Sequence, residues 1–384
     1  MEHSDNSNDL QKFGEQASDF IRAFAGNNAP IGVVSVAALK NNAEILKDLC
    51  CPAEFCAVIK ANAYGHGLIE TARAVENVAD CFAVGCVSEG AALRQAGILN
   101  PILCLIPAKK SEFSRARKYG IKICINDLNS LNALKEFAKT HVPPAFHLAI
   151  NSGMNRLGID DEYQAKAALK IICDCDLPLR GVFSHFYNAG DFCSCEKQFK
   201  RFLSVAEVFK SEFSGIKTHI SSGGGLYYGD KFKLDCVRAG LGLYGYGYPL
   251  LRSGGGFCEN KANSVNESAF SNLKPALKIY APLIQTRNLS TGESLLYGDY
   301  RLNGDQTADI LSYGYYYGEY CGINGCLNKT CMNLCAVSGG EKRVLIADEK
   351  YVCVMSNAQK TALKTGASVY NVLTRASNIQ KFYI

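Results

Sequence analysis

The segment EFCAVIKANA, residues 54–63, is a short apolar run that ends in a lysine. Seven more runs of this kind follow, rich in β-branched, aromatic or cysteine side chains and bounded by polar or glycine residues. They are CFAVGCV (81–87), PILCLIP (101–107), IKICIN (121–126), AFHLAIN (145–151), LRGVFSHF (179–186), IKTHISS (216–222) and CVRAGLGLYGYGY (236–248). Short apolar runs between such boundaries predict eight buried strands.

The stretches between these runs have the spacing of amphipathic helices, as in SEGAALRQAG and YQAKAALKIICD. Eight alternations of strand and helix over roughly 200 residues predict an N-terminal (β/α)8 TIM-type barrel. An open, doubly wound sheet is the alternative, and it is less favoured because sheets of many parallel strands tend to close.

The composition changes after the last of these runs. Residues 250–273 are rich in Gly, Ser and Asn, which is typical of a linker or loop. Beyond them, KIYAPLIQTRNL, QTADILSYGYYY, KRVLIADEKYVCVMS and SVYNVLTRAS are predicted to be strands. Four segments are predicted along the chain: a polar leader (1–30), the barrel (31–249), a linker or loop (250–273) and a mostly β C-terminal domain (274–384). The leader need not be folded. The run GVVSVAAL (32–39) fits either domain.

The overall composition excludes several functional classes. The chain has 384 residues, 48% of them hydrophobic and 20% charged, with a net charge of +5. Such a chain can form a packed core, and its small charge surplus is unlike that of a strongly basic nucleic-acid binder. The start, MEHSDNSNDL, has no secretory signal pattern, and no apolar stretch approaches the length of a membrane span. We expect a soluble, cytoplasmic (bacterial) protein that binds neither nucleic acid nor a membrane.

The 18 cysteines do not indicate a disulfide framework or a metal site. Many lie inside apolar runs, where a thiol behaves as a small hydrophobic group, and reduced cysteines are expected in this setting. The sequence cluster Cys321, Cys326, Cys331 and Cys335 has no C-x-x-C pair and no neighbouring histidine. We therefore expect no bound metal there.

Polar residues cluster at the predicted C-terminal ends of the barrel strands, where such barrels place their active sites. They are Lys60, Arg156, His185, the Ser221/Ser222 pair with three glycines, and Arg238. A lysine in an apolar run can form a Schiff base with a carbonyl, and SSGGG can bind a phosphate through its backbone amides. Each signal alone also fits a snorkelling lysine, an ordinary loop or a core histidine. Together they suggest pyridoxal 5'-phosphate as cofactor.

The stretch AVIKANAYGHG (57–67) resembles the cofactor-lysine signature of the alanine racemase family, whose fold is a barrel followed by a β domain. Other stretches resemble that family in the same order, so the resemblance runs from about residue 33 to 384. They are SGMNRLGI (152–159), GVFSHFYNAGD (181–191), ISSGGGL (220–226), VRAGLGLYGY (237–246), LLYGDY (295–300), CMN (331–333) and YNVLTR (370–375).

The resemblance implies a role for each matching residue. Lys60 corresponds to the lysine that carries the cofactor, Arg238 to the donor to its ring nitrogen, and Arg156 to the donor to its phenolate. His185 resembles a histidine beside the ring. The implied phosphate ligands are Tyr64, Ser222, the backbone at Gly240 and Leu241, and Tyr370, with Ser221 as an alternative to Ser222.

Racemisation needs a base on each face of the reacting carbon. The resemblance implies Lys60 on one face and Tyr297, contributed by another subunit, on the opposite face. We expect His185 and Arg238 to lower the pKa of that tyrosine through positive charge. Met332 resembles a residue whose backbone amide receives the substrate carboxylate, and Tyr315 a tyrosine at the site entrance. A homodimer with shared active sites follows from this interpretation.

The sequence departs from the family pattern near the substrate. Ala149 stands where many relatives carry a modified lysine that braces the arginine, so Arg156 needs other support, such as Asn151 or a bound anion. In NKTCMN, Asn333 replaces an acid and Lys329 an arginine; GYYYG lacks the family's aspartate, and Ala239 replaces a proline.

The resemblance implies a PLP-dependent amino-acid racemase, an isomerase that interconverts L-alanine and D-alanine for peptidoglycan synthesis. A racemase of serine or of a broader amino-acid set is an alternative. A non-catalytic PLP-carrier protein is another, although such carriers usually lack the β domain.

Overall fold

The computed structural model describes residue 18 and residues 28–248, 264–297, 301–318, 326–339, 345–346 and 351–384. Two compact units emerge. One combines Met1–Ala37, Tyr64–Gly67 and Pro275–Ile384, and the other combines Ala38–Ala63 with Leu68–Lys274. Within the described ranges, no helix has the length and apolar character that crossing a membrane requires.

Strands and helices alternate along the first part of the chain, and strands dominate after it. The strands are β1 (Ile31–Val34), β2 (Glu54–Val58), β3 (Cys81–Val84), β4 (Ile102–Pro107), β5 (Ile121–Ile125), β6 (Phe146–Ala149), β7 (Leu179–Phe183), β8 (Lys217–His219), β9 (Cys236–Ala239), β10 (Leu277–Leu289), β11 (Gln306–Leu311), β12 (Cys326–Thr330), β13 (Cys335–Gly339), β14 (Leu345–Ile346), β15 (Tyr351–Met355) and β16 (Gln380–Tyr383). The α-helices are α1 (Val36–Cys50), α2 (Leu68–Val75), α3 (Val87–Gln95), α4 (Phe113–Lys118), α5 (Leu128–Ala138), α6 (Glu162–Asp174), α7 (Phe192–Lys210), α8 (Ser264–Ser271), α9 (Ala358–Thr365) and α10 (Val369–Arg375).

Strands β2–β9 form one parallel sheet in the order β8-β7-β6-β5-β4-β3-β2-β9. Its two edge strands meet, because the Arg238 amide donates to the Ser221 carbonyl at 3.1 Å and the Asp235 amide to the Thr218 carbonyl at 3.1 Å. Each of the eight apolar runs contributes one strand. The predicted barrel is confirmed, and the open sheet is not formed.

The helices of this unit begin where the sequence supplies a cap. Asp127, Asp161 and Asp191 precede α5, α6 and α7, and each carboxylate accepts a hydrogen bond from an amide in the first turn. Such a cap satisfies an amide that has no partner inside the helix and contributes about 1 kcal/mol. The apolar faces of these helices are buried, as Leu131 and Leu134 of α5 show.

The other unit is mostly β. Its strands form a second sheet that follows the order β12-β13-β11-β10-β1-β16, with β15 also paired to β10 and β14 to β15. Strand β1 runs antiparallel to β10 and parallel to β16. The run GVVSVAAL therefore supplies a strand to this sheet and then the start of α1.

Two predictions from local pattern were wrong. SVYNVLTRAS forms helix α10 rather than a strand, because Ser368 caps it by accepting from the Asn371 amide at 3.1 Å and its Leu373 side chain is buried. The predicted linker contains helix α8, whereas residues 249–263 lie outside the described residues, as do most of the predicted leader and residues 319–325.

The cysteines are reduced at fourteen described positions, which agrees with the expectation of thiols. Cys193 is an exception, since it takes part in a disulfide bond. In the cysteine cluster noted in the sequence, Cys331 and Cys335 are reduced, and Cys321 lies outside the described residues.

Asn42 joins distant parts of the barrel unit through hydrogen bonds, and this role can be tested. Its fully buried side chain donates to the Leu243 carbonyl at 3.1 Å and the Lys274 carbonyl at 2.8 Å, and it accepts from the Lys274 amide at 2.8 Å. We expect Asn42→Ala to lower the free energy of unfolding by about 3 kcal/mol, because it strands buried backbone groups. The matched control Asn41→Ala removes only contacts of 3.3 Å and should cost under about 1 kcal/mol. Equal urea midpoints for the two variants would contradict this assignment.

Candidate active site

Lys60 closely follows the buried strand β2 and begins an unusual turn. Residues Ala61, Asn62 and Ala63 have φ values of 54, 54 and 53°, in the left-handed region that side-chain-bearing residues rarely adopt. Glu89 stabilises this turn, since its carboxylate accepts from the Asn62 amide at 3.1 Å and the Gly85 amide at 2.8 Å. The Asn62 side chain accepts from the Leu68 amide at 2.8 Å.

The Lys60 ammonium lies in an unfavourable environment. Burial lowers its pKa below the usual range, and the positive charges of Arg156 and Arg238 lower it further, whereas Glu89 acts in the opposite direction. A lowered pKa increases the fraction of neutral amine near neutral pH. Lys60 is thus suited to act as a nucleophile or as a base.

Arg238 is the most buried charge of the set, with 4% of its surface exposed. Its guanidinium donates to the Ser184 carbonyl at 2.6 Å, to the Ile220 carbonyl at 3.3 Å and to the ring nitrogens of His185 and His219. These acceptors are all neutral, and an arginine cannot give up its proton. The site therefore carries a fixed positive charge held by neutral groups.

Arg238 also fixes the protonation of the histidines. Because a guanidinium only donates, His219 Nδ1 accepts from Arg238, and a neutral His219 then carries its proton on Nε2. That nitrogen lies 2.7 Å from Nδ1 of His147, which accepts the next bond. Burial and the nearby positive charges lower the pKa of His147 to about 3 and that of His219 well below its usual value.

His185 is brought to the same place, with its Nδ1 3.3 Å from the Arg238 guanidinium. Burial first, and then Arg238, Arg156 and Lys60, lower its pKa to about 3. It is neutral at physiological pH. The expectation that His185 would supply positive charge to the tyrosine was therefore wrong, whereas the same expectation for Arg238 stays a prediction.

Arg156 lies exposed on a loop that the Asn151 side chain organises. Asn151 Oδ1 accepts from the Gly153 amide at 3.1 Å and the Asn155 amide at 2.9 Å, and its Nδ2 donates to Asp160 at 2.7 Å. Ala149 is buried in an apolar cluster with Cys124 and Phe183. The Asn151 side chain therefore stabilises the loop that carries Arg156, whereas position 149 offers it no charged side chain.

Two short 3-10 helices follow β8 and β9. One, Gly223–Phe232, begins after Ser222, and the other, Leu241–Tyr244, begins after Gly240. The first amides of a helix have no partner within it and can bind an anion. The Ser221 hydroxyl donates to the Ser222 carbonyl at 3.0 Å and is buried, so Ser222 is the better candidate phosphate ligand. A side chain at Gly225 would lie 2.0 Å from the Ser221 hydroxyl, which explains the glycine.

The remaining sequence candidates belong to the mostly β unit. Tyr64 and Tyr370 form an edge-to-face pair with ring centroids 5.4 Å apart. The Tyr383 hydroxyl donates to the His66 carbonyl at 2.9 Å and ties the residues after Tyr64 to β16. The unit therefore brings both tyrosine candidates for phosphate binding together.

Tyr315 and Met332 are also brought together. The Tyr315 amide donates to the Cys331 carbonyl at 3.0 Å, and the Tyr316 amide to the Met332 carbonyl at 2.8 Å. Gly314 permits this approach, since a side chain there would lie 2.5 Å from the Met332 carbonyl oxygen. Tyr297, Met332 and Tyr315 are exposed over 72%, 65% and 46% of their surfaces. All three present large apolar groups to the outside of the chain.

Three positioning residues were not predicted from the sequence. Glu89 fixes the turn after Lys60, and His219 receives the Arg238 guanidinium. Gln198 of α7 donates to the His185 carbonyl at 3.1 Å and accepts from the Tyr187 amide at 3.0 Å. An acid in the first turn of α3 was a visible signal for Glu89. Nothing local marked Gln198.

Known proteins match this chain over the barrel region and, at full extent, over most of its length. The family profile described as "Alanine racemase, N-terminal domain" matches residues 34–249. An alanine racemase of Haemophilus influenzae is 30% identical over 365 residues, which cover 89% of this chain and 94% of that protein. An alanine racemase of Clostridium novyi is 28% identical over 375 residues, which cover 90% of this chain and 93% of that protein.

Solved structures share the fold at lower identity. Alanine racemase from Clostridium difficile superimposes with a TM-score of 0.80 at 24% identity and covers 92% of this chain and 95% of its own. The Streptomyces lavendulae enzyme gives a TM-score of 0.81 at 20% identity, covering 93% of this chain and 97% of its own. The shared fold therefore extends over the barrel unit and the mostly β unit alike.

The charges around Lys60 make a testable prediction. Glu89→Gln removes the negative charge that raises the pKa of Lys60, so this pKa should fall, whereas Arg156→Gln should raise it. Competitive acetylation of the cofactor-stripped protein across pH, read by peptide mass spectrometry, measures both changes. Glu162→Gln on the exposed start of α6 is the control. Shifts of the same sign in the Glu89 and Arg156 variants would refute the assignment.

Proposed function

Because this chain belongs to the alanine racemase family and is an isomerase, we propose that it interconverts L-alanine and D-alanine with pyridoxal 5'-phosphate. The observation that carries the proposal is Lys60, a half-buried lysine whose pKa is lowered by desolvation and by the positive charges of Arg156 and Arg238. In this proposal the product D-alanine serves peptidoglycan synthesis in the bacterial cytoplasm.

The residues present fit this cofactor. It needs an amine for its aldehyde, a donor for its ring nitrogen, and amides or hydroxyls for its phosphate. Lys60 would supply the first and Arg238 the second. Arg156 would donate to the phenolate, and His185 would lie beside the ring. The phosphate ligands would be Ser222, the backbone at Gly240 and Leu241, Tyr64 and Tyr370.

When bound, the cofactor supplies an electron sink that makes the α-proton of an amino acid acidic. Arg238 would limit that sink. Since a guanidinium retains its proton, it would donate to the ring nitrogen without protonating it. A weaker sink would disfavour side reactions such as transamination. A weak electron sink would suit a racemase, because a racemase removes the α-proton and then returns a proton to the same carbon.

Two groups would move the proton. Lys60 Nζ would remove or return the α-proton on one face, and its lowered pKa suits a base near neutral pH. Tyr297 Oη would do the same on the opposite face. The backbone amide at Met332 would hold the substrate carboxylate, and Tyr315 would line the entrance.

A second copy of the chain would complete each site. Tyr297, Met332 and Tyr315 are exposed large side chains, which is typical of residues that meet a partner. If they act in the site of another subunit, the enzyme is a homodimer with shared active sites.

Two other functions are compatible with parts of this site. A racemase of serine or of a broader set of amino acids would use the same groups, and the substrate side chain would distinguish it. A non-catalytic PLP carrier is disfavoured by the mostly β unit, which holds Tyr297 and Tyr370.

Proton exchange tests the function and the substrate together. The protein with PLP is incubated in deuterated water with L-alanine, L-serine and basic L-amino acids, and the α-proton signals are followed by NMR. We expect the alanine signal to disappear as D-alanine forms. Preferred exchange on serine would change the substrate but keep the mechanism. A coloured protein that exchanges none of these protons would refute the racemase proposal.

Mixing two inactive variants tests the shared site. Lys60→Ala should lose both colour and activity, and Tyr297→Phe should keep the colour but lose racemisation. If the subunits share sites, a mixed dimer contains one doubly defective site and one intact site. Random exchange of subunits should then restore roughly a quarter of wild-type activity.

The matched control mixes Lys60→Ala with Arg238→Ala. Both residues lie in the barrel unit, so each site of this mixed dimer keeps one defect and no activity should return. No recovery in the Lys60/Tyr297 mixture would place Tyr297 outside a shared site.

A further inference from the structure

A cluster of three cysteines lies at the end of the barrel opposite Lys60. The Sγ atoms of Cys56, Cys81 and Cys236 all lie within 4.8 Å of one another. Cys81 and Cys236 are the first residues of β3 and β9, and Cys56 is the third residue of β2. Because side chains alternate along a strand, these sulfurs point into the same layer of the barrel.

The strand register explains why the three meet. Cys56 is opposite Cys81 in the β2–β3 pairing and opposite Arg238 in the β2–β9 pairing. Cys236 precedes Arg238 by two residues, so both belong to the same face of β9. The cysteine layer therefore lies next to the layer that holds the Arg238 guanidinium.

A cavity of about 30 Å³ adjoins the three sulfurs, which is enough for one ion or water molecule. Lys122, Lys217 and His147 also line this cavity. The Lys217 ammonium is paired with the Glu54 carboxylate. The ammonium groups of Lys122 and Lys217 would offset part of the negative charge of deprotonated thiols.

An unsatisfied donor faces the same cavity. His147 is 4% exposed, and its Nε2 has no hydrogen-bond partner among the described residues. The chain of bonds from Arg238 through His219 leaves the proton of neutral His147 on Nε2. A buried N–H needs an acceptor, and a thiolate sulfur is one. The same proton prevents this nitrogen from binding a metal.

We propose that Cys56, Cys81 and Cys236 form a three-thiolate site for Cu(I), with His147 as a donor beside it. Soft thiolates select Cu(I) and Zn²⁺ among biological cations. Structural zinc is almost always four-coordinate, and the unpartnered Nε2 of His147, which lines the cavity, carries a proton. A three-coordinate sulfur set therefore fits Cu(I) better. Binding of Cu(I) would release the thiol protons to solvent and would leave the oxidation state of the copper unchanged.

Competition for copper tests this site independently of racemase activity. The background is the 384-residue chain with exposed Cys51, Cys86 and Cys173 changed to serine, reduced and kept anaerobic. One equivalent of Cu(I) is added with an excess of a colourimetric Cu(I) chelator. We expect the protein to retain about one equivalent, and Cys56→Ser, Cys81→Ser or Cys236→Ser to weaken retention at least about tenfold.

Cys124→Ser is the matched control, because Cys124 is a buried barrel cysteine outside the cluster. It should retain copper as the background protein does. Thermal melting without copper checks that each variant folds, and melting with copper should show a higher Tm only where the three cysteines are intact.

X-ray absorption at the copper edge decides the case even if the serine variants do not fold. Three sulfur neighbours around Cu(I) would support the site. Two sulfurs, or retention that is unchanged by all three serine variants, would overturn it. Cluster-dependent retention of Zn²⁺ without Cu(I) would overturn the choice of ion.

Discussion

The Arg238 guanidinium keeps its positive charge inside the barrel, because an arginine does not release its proton. The groups around it are therefore hydrogen-bond acceptors. Two backbone carbonyls and two histidine nitrogens accept its hydrogen bonds, and all four are neutral. The guanidinium helps to lower the pKa values of His185, His219 and Lys60, although burial is the larger cause in each case. This buried cation thus reinforces the effect of burial and determines which ring nitrogens of His219 and His147 carry a proton. Removing the Arg238 guanidinium would leave these four acceptors without the donor that they now share.

The loop that carries Arg156 is held without a charged side chain at position 149. Ala149 completes an apolar cluster with Cys124 and Phe183, so no charged group can lie there without losing that packing. The loop that carries Arg156 is instead held by Asn151 through two backbone amides. A backbone brace fixes where the loop runs but not where the guanidinium points.

Much of the barrel could be predicted from the sequence because its information is local. A run such as IKICIN shows a buried strand by its composition, and the end of each strand shows which residues share one rim. Helix α10 was not predicted because Val369 and Val372 favour strands, while the Ser368 cap and the burial of Leu373 decide the conformation. Contacts that depend on register between distant strands had no local signal. The bond from His219 to His147 and the meeting of Cys56 with Cys236 are of this kind.

The turn after β2 shows why Lys60 depends on residues outside its own motif. A left-handed residue with a side chain costs about 1–2 kcal/mol, and Ala61 and Ala63 both adopt this conformation. The amide of Asn62, between them, is bound by the Glu89 carboxylate, and a bond to a charged group is worth about 1.5–3 kcal/mol. The same carboxylate holds Gly85 just after β3 and opposes the two arginines at Lys60. Glu89 therefore links the shape of the turn to the basicity of the lysine, so a substitution at Glu89 changes both.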